Sequence, residues 1–549
     1  MKKTCFLFFL LMCSLVSVAQ NPYMPLWEFI PDGEPYVFED PDCPGKYRVY
    51  VYGSHDNLRW MYCGRDQVVW SAPVDNLQDW RYDGLIFKVN ESPTYQKLNA
   101  DGTDDVLFAP DVTVKTDANG KKTYYLFPNN QGGGRTTMIA KSDRPDGPFE
   151  VCNWRKERPT ETYGCLGFDP AVFVDDDGKV YGYWGFGMSN GAELDPETMC
   201  SVKPGTKVVE NMISGYKQEG IFRFFEASSI RKIEDKYVYI YSRTTFPGEF
   251  GLDNPSNYTL AYAYSDNPLG PWTYGGTIID ARAREKDEQG NIIASAMPGG
   301  NTHGSICKIG EQWYVFYHRQ IGLDCYARQA MVAPITVKVE KGKGGKVTIS
   351  EGEYNSEGFA LDGLDPTVRQ SAGLACWTTG PEKTREVYPK YVYSGSYIKP
   401  VYYSYNSYQA PYNKKVPFAP VVNNTAGSIV GYKYLNLDKL YPQTVEKTKG
   451  KKAKTVAAPT NITMQLRLKP EGVNGTIRLM LGSPWTSKGG VEIGTFSLNP
   501  SMPQTMTELT TAVDLKGKKG KQALYLVFES AQKGQSICEL YDFVFLSGR

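Results

Sequence analysis

A degenerate repeat in the first 340 residues constrains this chain more than any other feature. Each copy starts with a short apolar stretch led by a polar residue, turns at Asp, Gly or Asn, and continues as an aromatic-rich strand. The copies are Asp32-Gly-Glu-Pro-Tyr-Val-Phe with Tyr47-Arg-Val-Tyr-Val-Tyr, Phe108-Ala-Pro-Asp-Val with Thr123-Tyr-Tyr-Leu-Phe, Phe168-Asp-Pro-Ala-Val-Phe with Val180-Tyr-Gly-Tyr-Trp, Phe225-Glu-Ala-Ser-Ser-Ile with Tyr237-Val-Tyr-Ile-Tyr, and Thr302-His-Gly-Ser-Ile-Cys with Trp313-Tyr-Val-Phe-Tyr-His-Arg. The leading polar residues, Asp32, Asp111, Asp169, Glu226 and His303, stand 57 to 79 residues apart. That spacing suits a four-stranded antiparallel blade with loops of varying length. Ser142-Asp143 before Gly147-Pro148-Phe149 and Ser265-Asp266 before Gly270-Pro271-Trp272 read as a turn and a closing aromatic late in a blade. No long stretch has a 3.6-residue period, and short period-two stretches abound. Five units predict an all-β fold, a five-bladed β-propeller. Its first strands line a central channel, and their leading polar residues converge at one mouth.

Beyond about Gly395 the character changes. Tyr397, Tyr402, Tyr403, Tyr405, Tyr408 and Tyr412 precede alternating strands such as Ile462-Thr-Met-Gln-Leu-Arg-Leu and Leu524-Tyr-Leu-Val-Phe. Short strands with polar turns predict a β-sandwich of jelly-roll type. The expected division is a signal peptide at 1–19, the propeller at 20–345, a connecting segment packed on it at 346–419, and the sandwich at 420–549. Lys341 to Lys346 reads as a hairpin loop. The basic runs Lys447 to Lys454 and Lys516 to Lys521 read as solvated loops, with attraction to acidic polysaccharide as the alternative.

Lys2 and Lys3 precede an apolar run from Cys5 to Val18, and Ser17-Val18-Ala19 offers small residues before a cut. This is the pattern of a cleaved secretory signal, shorter than a membrane span. The protein is therefore expected to be secreted or periplasmic, with no transmembrane segment. Cys13 raises a lipoprotein alternative, which the bulky Met12 before it disfavours. Of eleven Cys, nine remain after Cys5 and Cys13 leave. Their wide spacings predict buried free thiols, with Cys152/Cys165 or Cys307/Cys325 as the pairs closest to a bridge.

Charge narrows the function. Lys and Arg number 61 against 60 Asp and Glu, and this balance argues against nucleic acid as a partner. With three histidines (His55, His303, His318), a structural zinc site and a Ser-His-Asp hydrolase are poorly supplied. No phosphate-cradling motif occurs, and Gly132-Gly133-Gly134 reads as a loop. Converging carboxylates without a cofactor motif suit glycoside hydrolysis. One acid protonates the leaving oxygen, a second carboxylate activates water, and a third keeps the acid protonated.

Asp32 in Ile30-Pro-Asp-Gly-Glu-Pro, Asp169 in Gly167-Phe-Asp-Pro-Ala-Val-Phe-Val, and Glu226 in Phe224-Phe-Glu-Ala-Ser-Ser-Ile resemble the three signature carboxylates of glycoside hydrolase family 43. Phe108-Ala-Pro-Asp-Val resembles its second-blade motif, and Thr302-His-Gly-Ser with Trp313-Tyr-Val-Phe-Tyr-His-Arg its fifth. The likeness covers roughly residues 25–340. It implies an inverting glycosidase with Asp32 as general base, Asp169 as modulator of the acid's pKa and Glu226 as general acid. It also implies His303 beside a central metal, usually calcium and often reached through water, or as a channel histidine without one. No cofactor is needed for the chemistry itself. Trp184, Phe225 and Arg319 are candidate sugar contacts or, equally, blade packing, and His55 carries no assigned role. Many members follow the base with Pro where this chain has Gly33; Asp40 and Asp42 are the poorer alternatives.

Residues 420–549 resemble a carbohydrate-binding module of family 6, with Trp485 and Tyr432 as candidate platform residues; the alternative is a packing domain without ligand. The resemblance implies a monomeric enzyme acting on plant-wall oligo- or polysaccharide. α-L-Arabinofuranosidase comes first, with β-xylosidase, endo-arabinanase and β-1,3-galactosidase as alternatives, and a non-catalytic glycan-binding propeller as the reading from another class.

Overall fold

The computed structural model describes residues 20–58, 61–88, 106–130, 135–252, 255–293, 301–402, 418–441 and 461–548. The expected signal segment, Gly132–Gly134, the Lys447–Lys454 run, and Tyr403, Tyr405, Tyr408 and Tyr412 lie outside them. Among the described residues the regular structure is β, and helix is limited to 3-10 turns of three or four residues.

The repeat folds as five consecutive antiparallel sheets. The first holds β1 (Glu34–Glu39), β2 (Tyr47–Tyr52), β3 (Asp66–Pro73) and β4 (Arg81–Lys88); the second β5 (Asp111–Thr116), β6 (Lys122–Phe127), β7 (Ala140–Ser142) and β8 (Glu150–Val151). The third holds β9 (Ala171–Val174), β10 (Val180–Trp184), β11 (Asn190–Leu194) and β12 (Val209–Glu210); the fourth β13 (Phe224–Ile233), β14 (Lys236–Arg243), β15 (Thr259–Ser265) and β16 (Thr273–Asp280). A short hairpin, β17 (Glu285–Lys286) and β18 (Ile292–Ile293), follows. The fifth sheet has three strands among the described residues, one fewer than expected: β19 (Ser305–Ile309), β20 (Gln312–Gln320) and β21 (Arg328–Ile335).

The first strands meet in a ring. β5 lies beside β9, β9 beside β13, β13 beside β19, and β19 beside β1. The hydroxyl of Tyr36 in β1 closes the circle by donating to Asp111 Oδ1 of β5 at 2.6 Å. Polar side chains stitch the ring from within. Asp111 Oδ2 accepts from the N–H of Val172 at 2.7 Å, Arg231 Nη2 donates to Glu34 Oε2 at 2.8 Å, and Ser229 Oγ meets Ser305 Oγ at 2.7 Å. All five sheets are tied by this network. Burial pushes Glu34 up to about 7 and Asp111 up to about 6, although Arg231 favours both charges.

The hairpin around Lys341–Lys346 forms as expected, between β22 (Val337–Val339) and β23 (Val347–Ile349). The connecting segment differs from expectation. Its strands β24 (Gln370–Ser371), β25 (Trp377–Thr379) and β28 (Tyr397–Ile398) belong to the C-terminal sheets, so that unit starts well before residue 420. Between them, β26 (Arg385–Val387) and β27 (Lys390–Val392) form a separate hairpin.

The remaining strands are β29 (Val421–Val422), β30 (Ile429–Asn436), β31 (Asn461–Pro470), β32 (Gly475–Leu481), β33 (Val491–Leu498), β34 (Thr507–Val513), β35 (Lys521–Glu529) and β36 (Cys538–Gly548). They form two sheets, one ordered β28-β29-β36-β31-β34 with β24 also on β36, the other β25-β30-β35-β32-β33. In β31 the alternation is plain: Ile462, Met464, Leu466 and Leu468 are buried and the residues between them are not. One apolar core joins these sheets to Phe29, Val238 and Tyr317 of the ring. Among the described residues no helix is long and apolar enough to cross a membrane, and all nine cysteines are free thiols, six of them buried.

Candidate active site

Asp32 and Asp169 each stand two residues before the first strand of their sheet, and both adopt left-handed backbone, φ 60° and 48°. Asp tolerates this region better than most residues, but the conformation still costs energy that the fold must offset. Glu226 lies inside β13, where the register with β14 slips between Phe224 and Ser229, and Ala227 takes φ 70°. Such a bulge re-aims side chains at the mouth of a barrel or ring. His303 precedes β19. The structure buries all four residues at 3 to 6% exposure.

Asp32 is held ionised. Arg328 Nη1 donates to its two oxygens at 3.0 and 3.1 Å, and Ser54 Oγ donates to Oδ2 at 2.5 Å. Burial opposes its charge, but the Arg328 guanidinium and the Ser54 hydroxyl outweigh burial and hold Asp32 below its ordinary range. Arg328 is itself fixed by Asp56, through Nε at 2.9 Å and Nη2 at 2.8 Å. Between Ser54 and Asp56, His55 meets Asp66 at 2.5 Å and Glu28 at 3.2 Å. Burial works against its charge, yet these carboxylates push His55 up to about 10, an anchored imidazolium. The Ser54–Asp56 run is thus a support for Asp32. Arg328, Ser54, Asp56 and His318 were not singled out by sequence; no motif marks Arg328, whose partner lies 296 residues away.

Asp169 and Glu226 behave oppositely to Asp32. Burial and the charges of Glu226 and Asp32 push Asp169 well up, and burial and Asp32 push Glu226 up to about 8. The pair therefore keeps a proton near neutral pH. Both Asp169 oxygens accept from N–H donors, Oδ1 from Asn129 at 2.8 Å and Oδ2 from the Ala227 backbone at 3.0 Å. Two such donors, against the one that Asn301 gives Glu226, favour Asp169 as the ionised member of the pair. A neutral bridge joins the two halves. The Asp32 N–H donates to His318 Nδ1 at 3.2 Å, so His318 carries its proton on Nε2, which faces Asn301 Oδ1 at 3.1 Å. The Asn301 side chain hydrogen-bonds Glu226 in turn. Burial pushes His318 down to about 3 and keeps it neutral. One buried site thus holds an ionised carboxylate and a protonated one, the division of labour that general base and general acid require.

The sequence matches the profile of Glycosyl hydrolases family 43 over residues 46–341, more than half the chain. The chain belongs to family 43. It is 34% identical over 372 residues to a xylosidase/arabinosidase of Thermoclostridium stercorarium, a match spanning 65% of this chain and 71% of the relative. With an arabinoxylan arabinofuranohydrolase of Paenibacillus polymyxa it shares 28% identity over 378 residues, 66% of this chain and 55% of that one. A solved family 43 arabinoxylan arabinofuranohydrolase from Bacillus subtilis, in complex with cellotetraose, aligns over 96% of this chain and 97% of its own at 21% identity and TM-score 0.43. As a family 43 member the protein is a glycoside hydrolase, and such enzymes need no cofactor for bond cleavage.

Of the expected sugar contacts, this family 43 chain places only Phe225 near the carboxylates. Its ring lies 5.0 Å from Phe186 and 5.1 Å from Tyr216; Phe186 is 5.5 Å from Phe168, itself 5.9 Å from Phe108. This arc flanks Asp169 and Glu226, and Phe186 is 56% exposed. Trp184 is instead core, packed with Leu166 and Leu194 because β10 is covered on both faces. Arg319 also takes the packing alternative. Its guanidinium donates to Gln329 Oε1 at 3.1 and 3.0 Å and to the carbonyls of Ala375 and Gly373, each at 2.6 Å, a clasp between the ring and the C-terminal sheets. Of the alternatives to Asp32, Asp40 pairs with Arg48 and Arg81, and Asp42 with Arg144.

His303 Nδ1 faces Asp169 Oδ2 at 3.5 Å, and burial pushes the ring down to about 4, hence neutral. A directly ligated calcium does not fit here. Among the described residues no group of three or more His, Cys, Asp or Glu could hold a metal. Both Asp32 oxygens face a guanidinium, and one nitrogen is a poor donor for a hard cation.

Proposed function

We propose that this protein removes pentose units, α-L-arabinofuranosyl first, from plant cell-wall polysaccharide with inversion of configuration. The observation that carries the reading is the contrast in one buried site between Asp32, gripped by Arg328 and Ser54, and Glu226, buried beside Asp169, which favours the charged form of the first and the protonated form of the second. Asp32 takes a proton from water as that water attacks the anomeric carbon. Glu226 gives its proton to the departing glycosidic oxygen. Asp169, ionised beside it, sustains the proton on Glu226 until transfer. Exchange with solvent then restores both carboxyls.

The names of the relatives, xylosidase/arabinosidase and arabinoxylan arabinofuranohydrolase, support a pentose. β-D-Xylosidase activity is the second reading, favoured by the first of those names. The five-sheet ring is read as a five-bladed β-propeller and the paired C-terminal sheets as a β-sandwich of the carbohydrate-binding module 6 type. Tyr432 is fully buried against Phe543 and is no platform; Trp485 stays half-buried against Trp377. The N-terminal segment supports export, and the enzyme is read as a monomer.

The test is hydrolysis of nitrophenyl α-L-arabinofuranoside, β-D-xyloside and β-D-galactoside beside arabinoxylan, arabinan and arabinogalactan. Arabinose release, with slower xylose release, is expected. Galactose as the only product, or binding without turnover, overturns the reading.

A further inference from the structure

The hairpin β26–β27 does more than connect two units. The backbones of Lys390 and Asp324 pair as an isolated antiparallel β-bridge, the Tyr391 N–H donates to the Leu323 carbonyl at 2.9 Å, and the Cys325 N–H donates to the Pro389 carbonyl at 3.1 Å. The Tyr391 hydroxyl meets Cys325 Sγ at 3.0 Å and Gln320 Oε1 at 3.1 Å. These ties bind the hairpin to the loop that leads into β21 and Arg328. In that loop Tyr326 sits edge-on to Tyr62 at 5.4 Å, Tyr62 covers the Arg328 guanidinium at 4.9 Å, and Arg328 grips Asp32. Packed contacts therefore run from the hairpin to the base.

The outer end of this run is bare. Tyr388 is 67% exposed, and Val387, Val392 and Leu323 around it are also exposed. A grouped apolar tip facing water, joined to a catalytic site, marks a binding surface rather than a scattered exposed residue. Tyrosine offers an apolar face for a sugar ring and a hydroxyl for its oxygens.

We propose that the tip of this hairpin, with Tyr388 as its stacking ring, is a subsite for the polysaccharide chain on the Asp32 side of the active site, complementing the Phe186–Phe225 arc on the Glu226 side. The inference rests on the family 43 reading of Asp32 and Glu226. Loss of a contact made equally to substrate and transition state raises KM and leaves kcat.

The experiment compares full-length wild type, Tyr388→Ala and Tyr388→Phe on the polymer that wild type cleaves fastest and on the matching aryl glycoside. For Tyr388→Ala, KM on polymer is expected to rise about tenfold with kcat kept, a loss about tenfold beyond that on the aryl glycoside. Tyr388→Phe, which keeps the ring, should recover most of the difference. Equal losses on both substrates, as from a structural defect, overturn the subsite. So does an unchanged polymer KM, the outcome if the tip docks a protein instead, or a wild type that cleaves the aryl glycoside but no polymer. Turnover of nothing by wild type would instead sink the functional reading, and the subsite with it.

Discussion

Asp169 accepts a hydrogen bond from the backbone N–H of Ala227 at 3.0 Å. The donor is the residue after Glu226, and it points that way because Ala227 takes φ 70° in the β13 bulge. The third and fourth sheets are thereby locked together at the point where two carboxyls sit side by side and share a proton. The bond steadies Asp169 as the anion and leaves the proton to Glu226.

Glu226→Gln removes the proton donor while keeping the shape. Hydrolysis of unactivated glycans should fall about 10²- to 10⁴-fold, and nitrophenyl glycosides should lose less because their leaving groups need little protonation. Steady-state rates across a leaving-group series check this. An equal drop across the series would remove Glu226 from the acid role.

The pH profile of kcat/KM should be a bell. Its acidic limb lies below the ordinary carboxylate range, since Asp32 is held down, and its basic limb lies near 8, where Glu226 loses its proton. Asp169→Asn takes away a neighbouring negative charge and should move the basic limb to lower pH. A limb that stays in place would exclude Asp169 as modulator.

Arg328→Lys keeps a positive charge but loses the fork that spans Asp32 and Asp56. The acidic limb should move to higher pH and kcat fall about 10- to 100-fold. Pre-steady-state rates with an activated substrate separate this from slow product release.

Arg319→Ala should behave as a stability variant. It leaves the Gly373 and Ala375 carbonyls without their donor and should cost about 2–4 kcal/mol by urea denaturation. The kcat/KM of the protein that remains folded should stay within about twofold of wild type, because the guanidinium is spent away from the carboxylates.

Although Arg231 pairs with it, burial prevails at Glu34, which makes stability depend on pH in the opposite sense to an acid whose pKa is lowered by folding. Its folded pKa of about 7 lies above its unfolded value, so the folded state binds the extra proton. That contribution is full below the unfolded pKa and is lost as pH rises through 7. The urea midpoint should decline from about pH 5 to 8, and the decline should be shallower in Glu34→Gln.

Much of the fold was legible because its signals are local. Polar residues placed just before apolar strands mark three of the ring positions (Asp32, Asp169 and His303), and the alternation of Ile462, Met464, Leu466 and Leu468 shows which face of β31 is covered. The three carboxylates were legible for the same reason. What could not be read depends on contacts made across the chain. Arg328 reaches Asp32 and Asp56 from the far end of the ring, and no spacing announces that. Trp184 ends a strand buried on both faces, so alternation does not distinguish core from cleft there. Sugar contact and packing stayed equal for Arg319 because the carbonyls it clasps belong to a segment read only as a connector packed on the propeller. The hairpin β26–β27 escaped for the same reason.

Asp32 as base to a water molecule and Glu226 as acid to the leaving oxygen make one demand that mutants do not. The first product must leave with its anomeric configuration inverted. Proton NMR of the anomeric region in the first minutes of aryl α-L-arabinofuranoside hydrolysis, before mutarotation, tests this directly. The β-anomer of arabinose is expected first. Initial release of the α-anomer would mean retention, and Asp32 could not then be acting as base to water.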